Sequence, residues 1–283
     1  MSEKAVVVMG LPESGKTTFL AALWHLVTER EIDTKLKFVT LRAGEVRHLN
    51  AIADIWRNAK KQERTGVDDG RIVSMTLQLE SGQQVIVTFP DLAGESFLEM
   101  WERRECDVVV ADMLKSTGVL LFVHADKITE PQWVIDEKLE SEEAGLERGG
   151  DPIQAWDPRN SPTQVQLTDL LQTLQAEPLD VGARRLAVIL SAWDKVEAEM
   201  LSPQDYLASK LPLLAQYLRN GLGAGWQVRI YGVSAQGGDY EDKVAKGDAE
   251  RLRDMSVPSH RVRVIDGDSE SRDLTEPLGW VLG

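Results

Sequence analysis

Near the start of the chain, Gly10-Leu11-Pro12-Glu13-Ser14-Gly15-Lys16-Thr17 sets two glycines with four residues between them and follows the second with a lysine and a hydroxyl residue. This spacing suits a loop that cradles phosphate groups. Backbone N–H groups of such a loop, together with the N-terminus of the helix it opens, surround an anion. Gly15 lets the backbone approach closely. Lys16 reaches the terminal phosphates, and the Thr17 hydroxyl is placed to ligate Mg²⁺. Glu13, Ser14 and Thr18 complete the candidate contact set with Gly10. The plainer alternative is a glycine-rich strand-to-helix turn with a chance lysine.

Three further strand ends carry polar residues. Val85-Ile86-Val87-Thr88-Phe89-Pro90-Asp91-Leu92-Ala93-Gly94-Glu95 runs an apolar strand into an aspartate, with glycine three residues on. Asp91 is the candidate to hold Mg²⁺, directly or through water, and the Gly94 N–H is the candidate to sense a γ-phosphate. Asp91 also suits a helix N-cap. Leu186-Ala187-Val188-Ile189-Leu190-Ser191-Ala192-Trp193-Asp194-Lys195 repeats the pattern. A carboxylate at Asp194 can accept from both the N1–H and the 2-amino group of guanine, a pair that adenine lacks. Its alternative is again a helix cap. Trp193 is weighed evenly between stacking on a base and filling the core, and Lys195 joins it as a candidate contact. Tyr231-Gly232-Val233-Ser234-Ala235 ends a strand in Ser234-Ala235, whose backbone can meet guanine O6.

Apolar strands alternating with amphipathic helices must position these residues. The pattern predicts strands at Ala5–Met9, Lys35–Leu41, Ile72–Leu79, Gln84–Phe89, Gly118–Val123, Leu186–Leu190, Gln227–Val233 and Arg261–Ile265. It predicts helices at Gly15–Glu29, Glu45–Gln62, Ser96–Glu105, Asp107–Leu114, Thr163–Gln175 and Gln204–Arg219, with a short one at Leu274–Val281. Ser81-Gly82 marks a hairpin. The expected fold is a three-layer α/β architecture of the P-loop NTPase kind, its sheet mostly parallel with one antiparallel strand. A single domain spans 1–283, with an acidic, proline-punctuated insertion at 126–162 and an extension of the same domain at 234–283. The insertion is expected to move freely until a partner docks on it, and Trp133 and Trp156 within it suggest that contact.

Composition narrows the classes. With 32 basic and 46 acidic residues the formal net charge is −14 and the pI about 4.8. A net anion is repelled by a phosphate backbone, which argues against general nucleic-acid binding. The lone Cys106 excludes an intramolecular disulfide and a cysteine zinc cage, and reads as a buried thiol. His124 reads as a core or rim histidine. Trp24 and Trp56 fall on apolar helix faces, and Trp101 reads either as core or as a partner contact. No stretch looks like an export signal or a membrane span, so a cytoplasmic location is expected.

The order and spacing of these motifs resemble a Ras-like P-loop GTPase of the translation-factor-related class. The chain is similar to bacterial double-GTPase family proteins, most closely at Gly10 to Trp24, and in the tail Asp273-Leu274-Thr275-Glu276-Pro277-Leu278-Gly279-Trp280. The resemblance implies a switch that binds GTP or GDP with Mg²⁺ and works in a bacterial signalling or conflict system. A protein partner is implied with it: a second GTPase, an activator or an effector. A threonine covering Mg²⁺ is then expected between the first helix and the Ile72 strand. Thr65 fits better than Thr40, and the neighbouring Arg64 could stabilise transition-state charge in cis or simply be solvated. Two departures stand out. Ser191 and Ala192 replace the usual Asn or Thr and Lys of the guanine motif. Glu95 stands where Ras-like enzymes place the glutamine that orients the attacking water, so slow or partner-dependent hydrolysis is expected. A nucleotide-dependent binding module without hydrolysis, and an ATPase using the same loop, are the alternatives.

Overall fold

The structure is a computed structural model that describes residues 5–60, 71–91, 94–131, 157–240 and 247–283, with the backbone alone at 71, 90, 91, 94, 95 and 247. Among these residues β1 (Ala5–Gly10), β2 (Leu36–Ala43), β3 (Arg71–Leu79), β4 (Gln84–Asp91), β5 (Gly118–His124), β6 (Arg185–Ser191), β7 (Gln227–Ser234), β8 (Arg263–Asp266) and β9 (Ser269–Ser271) form one sheet. Its order is β2-β3-β4-β1-β5-β6-β7-β8-β9. Strands β4, β1, β5, β6 and β7 run parallel. Strand β3 runs against β4, as the Ser81-Gly82 hairpin demands, and β8 runs against β7 at the other margin.

The central strands β1, β5 and β6 are apolar along nearly their whole length because both faces are covered. In β1, Val6 and Val8 point into one core and Val7 and Met9 into the other. On the first face lie α1 (Lys16–Glu29), α2 (Val46–Arg57) and the C-terminal α9 (Thr275–Leu282), which contribute Phe19, Leu23, Leu49, Trp56 and Leu278. On the second lie α3 (Gly94–Arg103), α4 (Val108–Leu114), α5 (Thr163–Thr173), α6 (Pro203–Lys210) and α7 (Pro212–Asn220), contributing Phe97, Leu114, Leu167, Tyr206 and Leu214. A short α8 (Gly247–Arg253) precedes β8. The expected three-layer α/β architecture is therefore present.

Several details differ from the sequence expectation. The helix expected over Gln204–Arg219 is two helices, because Pro212 has no N–H to give and opens a new first turn. Helix α2 stops at Arg57 rather than Gln62, and Ala59 turns left-handed at φ 48°. Cys106 is exposed, not buried: the following helix is one of seven residues and turns only Val110 and Leu114 inward. Partial desolvation, followed by the Asp107 carboxylate, raises the Cys106 thiol pKa above its ordinary value, so it is not an activated nucleophile.

The tail is fastened to the first face. The Asp273 carboxylate accepts from the Lys35 N–H at 2.7 Å and from both the N–H and hydroxyl of Thr275 at 2.8 and 2.7 Å. Thr275 Oγ1 in turn accepts from the Leu36 N–H at 3.0 Å. The roots of the acidic insertion are also clamped: the Thr163 N–H donates to Thr129 O and the Thr129 N–H to Thr163 Oγ1. Most of the insertion (132–156), with Trp133 and Trp156, lies outside the described residues.

Candidate functional site

Strand β1 ends at Gly10, and the chain turns over Leu11 to Ser14 before α1 begins at Lys16. Two residues here are left-handed, Glu13 at φ 58° and Gly15 at φ 88°. Such an alternation curls successive N–H groups into an anion-binding concavity. Gly15 is required on two counts. Its backbone conformation disfavours any side chain, and a Cβ there would lie 2.8 Å from Ser191 Oγ. The Lys16 ammonium donates to Gly10 O at 2.8 Å, to Leu11 O at 2.9 Å and to Ser14 Oγ at 3.1 Å. It therefore lies folded back across the loop and is held where a phosphate oxygen could take over from these neutral acceptors. Thr17 and Thr18 are half-buried in the first turn of the helix, and Ser14 is buried.

Sheet order brings the other strand ends to this loop. Thr88 pairs with Val7, so Asp91 lies as far beyond that pair on β4 as Gly10 does on β1. Helix α3 starts at Gly94, includes Glu95, and brings the Phe97 ring to 5.9 Å from the Lys16 ammonium. On the other flank β6 ends at Ser191, whose hydroxyl donates to Ser14 O at 2.8 Å. Asp194 follows in a single turn of 3₁₀ helix. Its Oδ1 accepts from the Ser234 hydroxyl at 2.5 Å, and Ser234 Oγ accepts from the Gly237 N–H at 3.0 Å. Ser234 is wholly buried and Ala235 nearly so. The phosphate loop, Asp91, Asp194 and Ser234-Ala235 thus converge at one end of the sheet.

Other candidates are placed differently. Trp193 is 4% exposed and packs edge-on against Tyr206 at 5.4 Å. Ala192 turns left-handed at φ 53° just before it. The ring belongs to the core and does not stack on a base. Lys195 pairs with Asp239 at 3.0 Å and Asp126 at 3.5 Å. Burial opposes its charge, but these carboxylates outweigh it and raise the pKa. Glu13 pairs with Lys127 at 2.6 Å at the rim of the loop. His124 lies half-buried at the end of β5, its pKa lowered by burial and then by Lys127. Trp101 donates to Pro158 O at 3.0 Å, so it anchors the returning end of the insertion. Arg64 and Thr65 lie outside the described residues.

No group of three or more His, Cys, Asp or Glu among the described residues could hold a metal ion. Thr17 carries a hydroxyl and Asp91 a carboxylate, which together with phosphate oxygens would make a hard, all-oxygen set of the kind that suits Mg²⁺. Ser191 was passed over in the sequence as a departure from a motif. Its position at the end of the strand that carries Asp194 was the available signal.

This arrangement defines a P-loop α/β protein. The chain matches the Double-GTPase 1 family over residues 7–281 and belongs to that family. No curated protein matches its sequence. Among solved structures it is similar to a bacterial selenocysteine-specific elongation factor EF-Sec, at 14% identity and TM-score 0.41, covering 84% of this chain and 27% of that one. It is also similar to the GTPase-like domain of Saccharomyces cerevisiae Ski7 bound to GTP, at 11% identity and TM-score 0.43, covering 83% and 43%. A third is the signal recognition particle receptor SRb-GTP/SRX complex of Chaetomium thermophilum, at 14% identity and TM-score 0.39, covering 89% and 97%. The chain spans about a quarter of the elongation factor. No helix among the described residues is long and apolar enough to cross a membrane.

Proposed function

We propose that the chain is a guanine-nucleotide switch that binds GTP and GDP with Mg²⁺ and hydrolyses GTP slowly or on stimulation by a partner protein. The observation that carries this reading is the Ser234–Asp194 hydrogen bond beside the phosphate loop. It would hold the Asp194 carboxylate in place to read the N1–H and 2-amino group of guanine. Lys16 and the loop N–H groups would take the phosphates. Thr17, Asp91 and Thr65 would hold Mg²⁺, which spreads charge between β- and γ-oxygens when bound. The Gly94 N–H would report the γ-phosphate, so that its loss releases the loops around Thr65 and Gly94. Arg64 and Glu95 would act on the attacking water and on developing charge.

Family membership supports the GTPase reading. A bacterial signalling or conflict system, a protein partner and a cytoplasmic location complete the proposal. Glu95 favours a second reading, a nucleotide-dependent binding module without hydrolysis, because a carboxylate sits badly beside an anionic γ-phosphate. Titration of fluorescent GTP, GDP and ATP with and without Mg²⁺ tests the first reading. Guanine preference, abolished by Asp194→Asn, with all binding weakened at least tenfold by Lys16→Ala, is expected. Equal or tighter ATP binding that ignores Asp194→Asn overturns it. Single-turnover hydrolysis separates switch from module.

A further inference from the structure

We infer that Trp56, seated on Arg261, is a positioning residue that aims the Ser234–Gly237 loop at the O6 edge of guanine. The inference deepens the guanine reading above and rests on it.

Trp56 belongs to α2, far from the phosphate loop in sequence, and is 1% exposed. Its indole N–H donates to Ala235 O at 2.8 Å. A peptide group is planar, so its C=O and the following N–H point in opposite directions. Drawing Ala235 O onto a buried indole therefore fixes the plane of the Ala235–Gln236 peptide and turns its N–H away from Trp56. A loop whose N–H groups must meet one oxygen atom of a base needs such fixing, because a hydrogen bond weakens steeply when misaligned.

Trp56 is itself held from two sides. The Arg261 guanidinium lies over its ring at 3.9 Å and the His25 ring packs against it at 5.0 Å. Arg261 Nη2 donates to Trp56 O at 2.7 Å. The Arg261 backbone also supports the loop directly: a Cβ at Gly237 would lie 2.7 Å from Arg261 O. The Gly237 N–H then reaches Ser234 Oγ, and Ser234 reaches Asp194. One continuous set of contacts thus runs from Arg261 and Trp56 through the loop to the base-reading carboxylate.

Simple packing does not account for the arginine. Arg261 is 3% exposed, and among the described residues its Nε and Nη1 find no hydrogen-bond partner. A buried guanidinium with unpartnered N–H groups is expensive, and an apolar side chain would fill the same space at lower cost. What the guanidinium adds is a cation on the Trp56 face and a donor to the Trp56 carbonyl, both of which lock the indole.

The test uses the full chain and compares GTP with 6-thio-GTP, which keeps the N1–H and 2-amino group but offers a poorer acceptor at position 6. Trp56→Phe keeps a ring and removes the N–H. The expected result is GTP affinity about fivefold weaker, 6-thio-GTP affinity changed less, and the preference between the two reduced. A purely structural role would weaken both ligands equally; an unchanged preference overturns the inference. If Trp56→Phe loses the far-ultraviolet circular dichroism of the fold, Arg261→Lys carries the same comparison, because it keeps the charge and loses the planar fork. A wild-type chain that binds no guanine nucleotide sinks the guanine reading itself, which is a different failure from guanine binding that ignores Trp56.

Discussion

The Ser191 hydroxyl donates to Ser14 O at 2.8 Å, joining the strand that carries Asp194 to the loop that would carry phosphate. Both residues are buried, so the bond is shielded from water. The same hydroxyl lies where a Gly15 side chain would be, so the loop, the first turn of α1 and the end of β6 close on one another at this point.

Ser191→Ala is therefore expected to loosen the phosphate loop without unfolding the sheet. Losing one buried hydrogen bond of about 1 kcal/mol corresponds to nucleotide affinity about fivefold weaker. The loss should be similar for GTP and GDP, since the bond lies beneath the loop and not at the γ-phosphate. Ser191→Thr keeps the hydroxyl and should retain most of the affinity. Titration of both nucleotides checks this, and an Ala variant with wild-type affinity would show that the loop stands unaided.

How much of this site the sequence revealed depends on how far apart its parts lie. The phosphate loop was legible because its chemistry is local: glycine, lysine and threonine act through the backbone they sit on. Asp194 and Ser234 could be singled out because Ser234 ends an apolar strand and Asp194 follows one by three residues. Ser191, Trp56 and Arg261 were not, because they matter only once strand order is known. Arg261 Nη2 meets Trp56 O across 205 residues of chain. Of the two even readings of Trp193, the core one fits the structure, since the left-handed turn at Ala192 and the seat on Tyr206 take its ring inward. Cys106 misled because the lack of an activating cation beside it reads as a buried thiol, whereas it is exposed, as are Val108 and Val109 on the α4 that follows. Pro212 divided a helix that periodicity alone reads as continuous.

The tail should matter for stability more than for nucleotide binding. Thr275 Oγ1 accepts from the buried Leu36 N–H and donates to Asp273. Thr275→Ala leaves that N–H with no acceptor and should lower the free energy of unfolding by about 1–3 kcal/mol. Thr275→Ser restores the hydroxyl and should recover most of it. Urea unfolding of the two variants decides the point, with nucleotide affinity at low denaturant expected to stay unchanged.

Acid should destabilise the fold through two histidines before the carboxylates are protonated. Burial lowers the His25 pKa below 6.5 despite the nearby Glu31 carboxylate, and burial followed by Lys127 lowers that of His124. Below pH 6.5 the unfolded chain takes up protons at these sites while the folded chain resists, so the unfolded state binds more protons and stability falls with pH. The contribution is fully present above pH 6.5 and is lost as pH drops from there toward the folded-state values. Glu31 acts in a lower window: its pKa is lowered from 4.5, burial being outweighed by the Ser259 and His25 bonds, so its contribution is lost only below about that pH. His25→Gln should flatten the upper slope by removing one of the two groups, each worth at most about 1.4 kcal/mol per pH unit. Other groups titrate as well and the net charge of −14 falls in magnitude with acid, so the quantity to compare is the difference between wild type and variant. Urea midpoints at about pH 7.5, 6.5 and 5.5 should fall more steeply for the wild type than for His25→Gln. Parallel profiles would mean that the His25 imidazole takes up a proton as readily in the folded chain as in the unfolded one.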